Sequence, residues 1–152
     1  MMKKIHIPIL ICLPLFIACD YAHDFWVNNN SDRPIVISCE YDYKLYPDTF
    51  TIPTSTAEKV KPNDRGQLWT LLGRKSIYSI LNTEIISIYI MSPDTLEKYG
   101  FERMQADYNI LARYDITEDI DKHFRGNFEY PPSQQMMDSG MRIYINPDNP
   151  DL

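Results

Sequence analysis

The residues of this chain best able to do chemistry are its three cysteines, its three histidines and its carboxylates, and one cysteine is set apart by what surrounds it. Cys19 follows a small residue, Ala18, at the end of a mostly apolar run over 5–17 (IHIPILICLPLFI), and that run follows Lys3 and Lys4. Polar sequence begins at Asp20. A basic start, an apolar stretch and a small residue at the boundary form a secretory signal. A cysteine directly after the small residue fits the lipoprotein form of that signal. A thiol is the nucleophile that takes a diacylglycerol as a thioether, and a small neighbour lets the signal peptidase reach the backbone. The box reads Leu15-Phe16-Ile17-Ala18-Cys19, with Phe16 and Ile17 where Leu and a small residue are more usual. The apolar run is too short for a membrane-spanning helix and contains Pro8 and Pro14. An ordinary secretory signal, with Cys19 a bystander, is the other reading. Cys12 follows Leu10-Ile11 and lacks the small neighbour. The expectation is removal of 1–18 and acyl chains, palmitate among them, on Cys19. One chain binds a membrane marginally, and two or more anchor it stably.

The remaining candidates carry less. His6 lies in the signal, and His23 and His123 are a hundred residues apart, so neither a zinc site nor a catalytic triad is supported. His123 suits the C-terminal end of a helix. Asp115, Glu118, Asp119 and Asp121 invite a calcium reading, but the glycine and terminal glutamate of an EF-hand loop are missing. Helix capping accounts for the same acids. A glycosidase-type carboxylate pair cannot be singled out among 21 acids. Exposed Tyr and Trp could stack on sugars or peptide, although strand alternation assigns most aromatics to the core and sheet faces. There is no Gly-rich phosphate loop, G-x-S-x-G, H-E-x-x-H or CxxC. No catalytic residue, metal or cofactor is therefore expected. Asp94-Thr95-Leu96 has the form of the D-[ST]-[apolar] acceptor of O-glycosylated exported proteins, which makes Thr95 a candidate modification site.

These residues must be positioned by one domain. Without 1–18 the chain has 134 residues, enough for one core. Loss of Lys3 and Lys4 leaves 13 basic against 21 acidic residues, a charge of −8. That balance disfavours nucleic acid and anionic lipid as electrostatic partners. With Cys12 removed and Cys19 acylated, Cys39 has no disulfide partner. Eleven Tyr, six Phe and two Trp, with only five Gly, suit half-buried strands.

Along the chain, 20–24 is a short tether of about 17 Å if extended. A first strand is expected at 25–28, followed by the turn-forming run 28–34. The clearest strand is 35–45. Ile35, Ile37, Cys39, Tyr41, Tyr43 and Leu45 share a dry face, and Ser38, Glu40, Asp42 and Lys44 a wet one, with Val36 against the pattern. One wet face implies an antiparallel sheet. Cys39 then reads as a small buried hydrophobe. Short pairing is expected at 50–52 and 59–61, a loop at 62–66, and an apolar segment with Trp69 at 68–72, while 76–81 is ambiguous. The segment 84–91 is apolar on both faces, with Ile86, Ile88 and Ile90 opposite Ile85, Tyr89 and Met91, and reads as a central or helix-covered strand. Ser92-Pro93-Asp94 starts a helix that Gly100 interrupts. Phe101, Met104, Tyr108 and Leu111 continue a helical stripe. A second helix spans 116–126, with Thr117 as cap and Gly126 as left-handed stop. A strand entry at 127–130, a loop at 133–140 and a closing strand at 141–145 follow.

The signal box, Tyr46-Pro47-Asp48-Thr49, Asp94-Thr95-Leu96, and Ile110-Leu111-Ala112-Arg113-Tyr114-Asp115-Ile116-Thr117 leading to Tyr130-Pro131-Pro132 together resemble a group of short lipoproteins of Bacteroides-type gut bacteria. In that group a Leu-x-x-Tyr-Asp-Leu-Thr stretch precedes a short helix and a Tyr-Pro-Pro ending. Ile116 replaces a Leu here, and 133–152 extend past that ending. The resemblance implies an exported, lipid-anchored protein and carries over no catalytic residue.

The expected organisation is a signal at 1–18, a lipidated tether at 19–24, one β-rich domain at 25–146 and a tail at 147–152. The fold class is mainly β, an antiparallel sandwich of about six to eight strands with a helical insertion near 92–124. A two-layer α+β arrangement is the alternative. The functional expectation is a lipid-anchored protein of the cell envelope, on its periplasmic or surface face. It would be a non-catalytic binding or structural module whose partner is an envelope protein or a glycan. An envelope enzyme or enzyme inhibitor using surface carboxylates, and a calcium-stabilised module, are the alternatives.

Overall fold

The computed structural model describes residues 22–40, 57–72, 76–107 and 109–148. Turn-forming residues cut this chain into short elements. In order they are β1 (Ala22–Asn29), β2 (Ile35–Glu40), β3 (Glu58–Val60), β4 (Asp64–Leu72), α1 (Ile77–Leu81), β5 (Ile86–Met91), α2 (Pro93–Asp107), β6 (Ala112–Ile116), α3 (Glu118–Phe124), β7 (Asn127–Tyr130), α4 (Gln134–Asp138) and β8 (Arg142–Ile145). The fold is mainly β, as the sequence implies. β1 begins at Ala22, so the first sheet takes up 22–24, assigned above to the tether.

The strands form two sheets, a three-stranded one ordered β4-β1-β7 and a five-stranded one ordered β3-β2-β5-β6-β8. Their inner faces share one core. Phe25, Val27 and Phe128 of the smaller sheet are fully buried with Ile37, Ile88 and Tyr114 of the larger. The alternation of the sequence sets these faces, because successive strand residues point to opposite sides. Cys39 lies in this core, on the dry face expected for it. The turn at 61–63 carries the chain from β3 in one sheet to β4 in the other, and a Cβ on Gly66 would collide with the Val60 and Ile37 side chains. The two sheets approach closely there only because Gly66 has no side chain. Pairing is antiparallel throughout except between β1 and β7, which run parallel, a departure from the all-antiparallel expectation. β7 reaches that position through α3, and the Gly126 carbonyl accepts from the Trp26 amide at 2.7 Å just before the pairing begins.

The outer face of the larger sheet departs from the wet face expected on 35–45. Val36 and Ser38 are buried, as are Tyr89 and Met91 beside them. The cause is α2, whose Leu96 and Met104 pack with Val36, Tyr89, Met91 and Ile110 in a second apolar cluster. Period-two polarity marks a solvated face only when no helix lies on it. Residues 41–45, 46–49 and 50–52 lie outside the described residues. β5 is central and buried along its length, with Ile86, Ile88 and Ile90 in the main core and Tyr89 and Met91 under α2.

Within 92–124, helix start and interruption fall where expected. The Leu96 amide donates to the Ser92 carbonyl at 3.0 Å, and Gly100 breaks the helix with φ +74°. The stripe through Leu111 is a correction, because α2 ends at Asp107 and β6 occupies 112–116 as an interior strand. α3 is capped by Thr117, whose hydroxyl accepts from the Ile120 amide at 3.5 Å. It ends on two left-handed residues, Arg125 and Gly126. A Cβ at Gly126 would strike the Asp24 carbonyl. The loop expected at 133–140 contains α4, fixed by Met136 in the core, and the loop expected at 62–66 gives way to β4 from Asp64.

Candidate functional site

Cys19 lies outside the described residues, which begin three positions later at Ala22. Thr95 sits in the first turn of α2, partly exposed and beside the exposed Asp94. The four acids once considered together are parted by the fold. Asp115 is on β6, while Glu118 pairs with Lys122 at 3.0 Å on the surface of α3, Asp119 is exposed, and Asp121 is buried. The Lys122 partner holds the Glu118 carboxyl below its usual range. Among the described residues no group of three or more His, Cys, Asp or Glu side chains converges as a metal site. His123 is exposed, with its ring edge-on to Phe124 at 4.8 Å and its Nε2 3.4 Å from the Gln135 amide nitrogen.

Two polar networks are built into the fold. The buried Asn29 side chain donates to the carbonyls of Arg33, Lys61 and Val60 at 2.7, 3.1 and 3.3 Å, and accepts from the Ser31 hydroxyl at 2.7 Å. It ties the end of β1 to the β3–β4 turn. On the outer face of the larger sheet, beyond α2, Arg113 clamps Asp115 with two bonds, Nε–Oδ1 at 2.7 Å and Nη2–Oδ2 at 2.8 Å. The Ser87 hydroxyl donates to Asp115 Oδ1 at 2.8 Å, and Arg142 Nη1 stands 3.9 Å from Oδ2. Both carboxylate oxygens are thus engaged by neighbours, and the geometry is that of a brace between β5 and β6.

The outer face of the three-stranded sheet is different, because its polar side chains stay partly or fully exposed. Alternation turns Phe25 and Val27 inward, so Asp24, Trp26 and Asn28 of the central strand point outward. Register then sets two rows across the sheet. Trp26 lies between Gln67 of β4 and Asn127 of β7, and Asn28 lies between Arg65 and Glu129. All seven residues, Asp24 included, are partly or fully exposed. A bulge falls at Trp26, where pairing jumps from Phe25–Trp69 to Trp26–Gln67 and the extra residue, Leu68, turns into the core. Bulges of this kind re-aim a side chain and often flank functional sites.

Each group of this face is held in place. The Arg65 guanidinium lies 4.3 Å from the Trp26 ring centroid, a cation–π stack. Gln67 donates to Asp24 Oδ1 at 3.1 Å. The amide nitrogen of Asn28 donates to the Phe128 carbonyl at 3.1 Å, and that of Asn127 to the Arg125 carbonyl at 2.8 Å. Asn30 donates to Glu129 Oε2 at 3.3 Å. A guanidinium stacked on an indole, in a frame of side-chain amides and carboxylates, presents both donors and acceptors to a polar ligand. Sequence reading missed Trp26 because it adjoins Phe25, so two neighbouring aromatics left open which one faces the core. The signal lay in Phe25, Val27 and Asn29 alternating with Trp26 and Asn28 ahead of the turn.

No family model, curated protein or solved structure matches the chain.

Proposed function

We propose that this is a lipid-anchored protein of the cell envelope, held by acyl chains on Cys19, whose domain is a non-catalytic binding module. The observation that carries the binding role is the open outer face of the three-stranded sheet, where Trp26 and its six polar neighbours are held in place without forming core. The signal box supports the anchor, as does the resemblance to short Bacteroides-type lipoproteins. Among the described residues no helix is long and apolar enough to cross a membrane. Three residues from Cys19 to the start of β1 span at most about 11 Å, so an acylated chain keeps its domain against the bilayer.

The test is metabolic labelling with palmitate. Label is expected in the wild-type protein and absent from Cys19→Ala, which should leave the membrane fraction. Equal labelling of both, or none in the wild type, would remove the anchor. The binding role is tested separately by whether an envelope component retained by the wild type is lost on Trp26→Ala.

A further inference from the structure

We propose that the end of the domain where β1 begins docks on the bilayer, with Arg125 against lipid phosphates; the inference rests on the reading of Cys19 as acylated. Acyl chains on Cys19 enter the bilayer, and the three residues to Ala22 reach at most about 11 Å. The start of β1 is therefore held close to the headgroups. The turn between α3 and β7 packs on this same end. A Cβ on Gly126 would strike the Asp24 carbonyl, and the Gly126 carbonyl accepts from the Trp26 amide at 2.7 Å. Arg125, the residue before, is exposed. Its backbone is left-handed, with φ +53°, and its carbonyl accepts from the Asn127 side chain at 2.8 Å. The turn thus fixes Arg125 beside the tethered end, and a guanidinium meets a phosphate with two parallel N–H donors.

Charge makes Arg125 the contact. Without 1–18 the chain carries −8, so an anionic surface repels the domain as a whole, and attraction at the tethered end has to come from a local cation. α3 has its acids Glu118 and Asp119 in the first turn and its cations Lys122 and His123 in the last, next to Arg125. Lys122 is committed to Glu118 at 3.0 Å, and the His123 ring stands 3.4 Å from the Gln135 amide nitrogen. The carboxylate on this stretch of β1, Asp24, is half-buried and accepts from Gln67 at 3.1 Å. Arg125 is left facing the headgroups. The other end of β1 lies about 23 Å away, at about 3.3 Å per residue, and leads to Asp32, whose side chain is 88% exposed.

The test uses the acylated full-length protein, purified in detergent and reconstituted into vesicles of phosphatidylethanolamine and phosphatidylglycerol. A bimane fluorophore is attached at Asn127→Cys, beside the turn, or at Asp32→Cys, at the far end; Cys39 is buried and stays unlabelled. The quencher is a spin label on a lipid headgroup. The Asn127→Cys label is expected to be quenched and the Asp32→Cys label to stay bright. Arg125→Asn removes the cation with a residue that tolerates the left-handed backbone. It should lower the ratio of docked to undocked domain by about fivefold, the value of one cation at an anionic bilayer surface. Arg125→Lys should retain most of the quenching. If thermal melting shows Asn127→Cys unfolded, a label at Lys122→Cys takes its place. Equal quenching at the two ends, stronger quenching at Asp32→Cys, or Arg125→Asn quenched like the wild type overturns the proposal. Flotation of the protein with the vesicles in those cases keeps the anchor. A wild type that does not float, or Cys19→Ala that floats equally, would remove the anchor and the docking together.

Discussion

The hydroxyl of Tyr114, on β6 of the larger sheet, donates to the backbone carbonyl of Glu129 on β7 of the smaller one, at 2.9 Å. The bond crosses the core between the two sheets. It also fixes β7, the strand that carries Asn127 and Glu129 of the candidate surface. Tyr114→Phe keeps the ring and removes the donor, leaving a buried carbonyl without its partner. The expected loss is about 1–2 kcal/mol in urea unfolding. An unchanged midpoint would show that the two sheets do not depend on this link.

Tyr78 provides the contrasting case. Its hydroxyl is buried and, among the described residues, has no hydrogen-bond partner. Burial first, then the Asp121 and Glu118 carboxylates, push its ionisation far above the usual phenol range. A buried donor without a partner costs about 1–3 kcal/mol, so Tyr78→Phe should leave stability unchanged or raise it by up to about 1 kcal/mol. A fall in the unfolding midpoint would show that the hydroxyl is bonded.

The same two phenols should make the fold less stable in alkali. Tyr114 is also raised, by burial first and then by Tyr130 and Glu129. In the unfolded chain both lose their protons near pH 10, whereas the folded chain retains them. Above pH 10 the unfolded state therefore binds fewer protons, and stability falls as pH rises. Below pH 10 this contribution is fully present. The unfolding midpoint should decline from about pH 10 upward, and the Tyr78→Phe, Tyr114→Phe double variant should decline less steeply. Equal slopes would mean that other groups govern alkaline unfolding.

Elements with an uninterrupted local pattern were legible in the sequence, and elements defined by their neighbours were not. Ile86, Ile88 and Ile90 face one side and Tyr89 and Met91 the other, and both sides are covered as the residue types imply. Thr117 and Gly126 bound α3 because caps and left-handed stops are local chemistry. β6 was hidden because Met104 and Leu111 extend a helical spacing across Asp107, where the helix ends. Only its place between β5 and β8 makes 112–116 a strand. Ser38 reads as a solvated residue until α2 is laid over its face. The candidate surface is assembled from 24–28, 65–67 and 127–129, and no spacing along the chain announces such a juxtaposition.

Asn29 should be among the least replaceable polar residues of the chain. It is fully buried, and its amide donates to three carbonyls from two segments of chain. Asn29→Ala removes one donor from each of those carbonyls, of which Arg33 keeps the Ser31 hydroxyl and Lys61 the Asp64 amide, and should cost about 1–3 kcal/mol. Asn29→Asp retains the acceptor for Ser31 but faces the carbonyls with a carboxylate. The pKa of that carboxyl should rise in the folded state, so the variant is most stable in acid and loses stability as pH rises towards neutrality. A pH-independent Asn29→Asp variant would show that the site takes in water or rearranges.

The brace of Arg113 and Asp115 separates a structural pair from a functional carboxylate. Their side chains are 15% and 6% exposed, with two short bonds between them. Removing either partner leaves the other charge in a largely dry site, so Arg113→Ala and Asp115→Ala should each cost about 3 kcal/mol. The double variant leaves no charge stranded and should cost less than the sum of the two by about 2 kcal/mol. Arg142, 72% exposed and 3.9 Å from the same carboxylate, should matter by no more than about 0.5 kcal/mol. Additive effects of the two single changes would mean that the pair is not coupled in solution. Asp115 would then be available for the chemistry that an envelope enzyme using surface carboxylates requires. Strong coupling instead fixes Asp115 as a scaffold residue behind the sheet and leaves the Trp26 face as the place to look for a ligand.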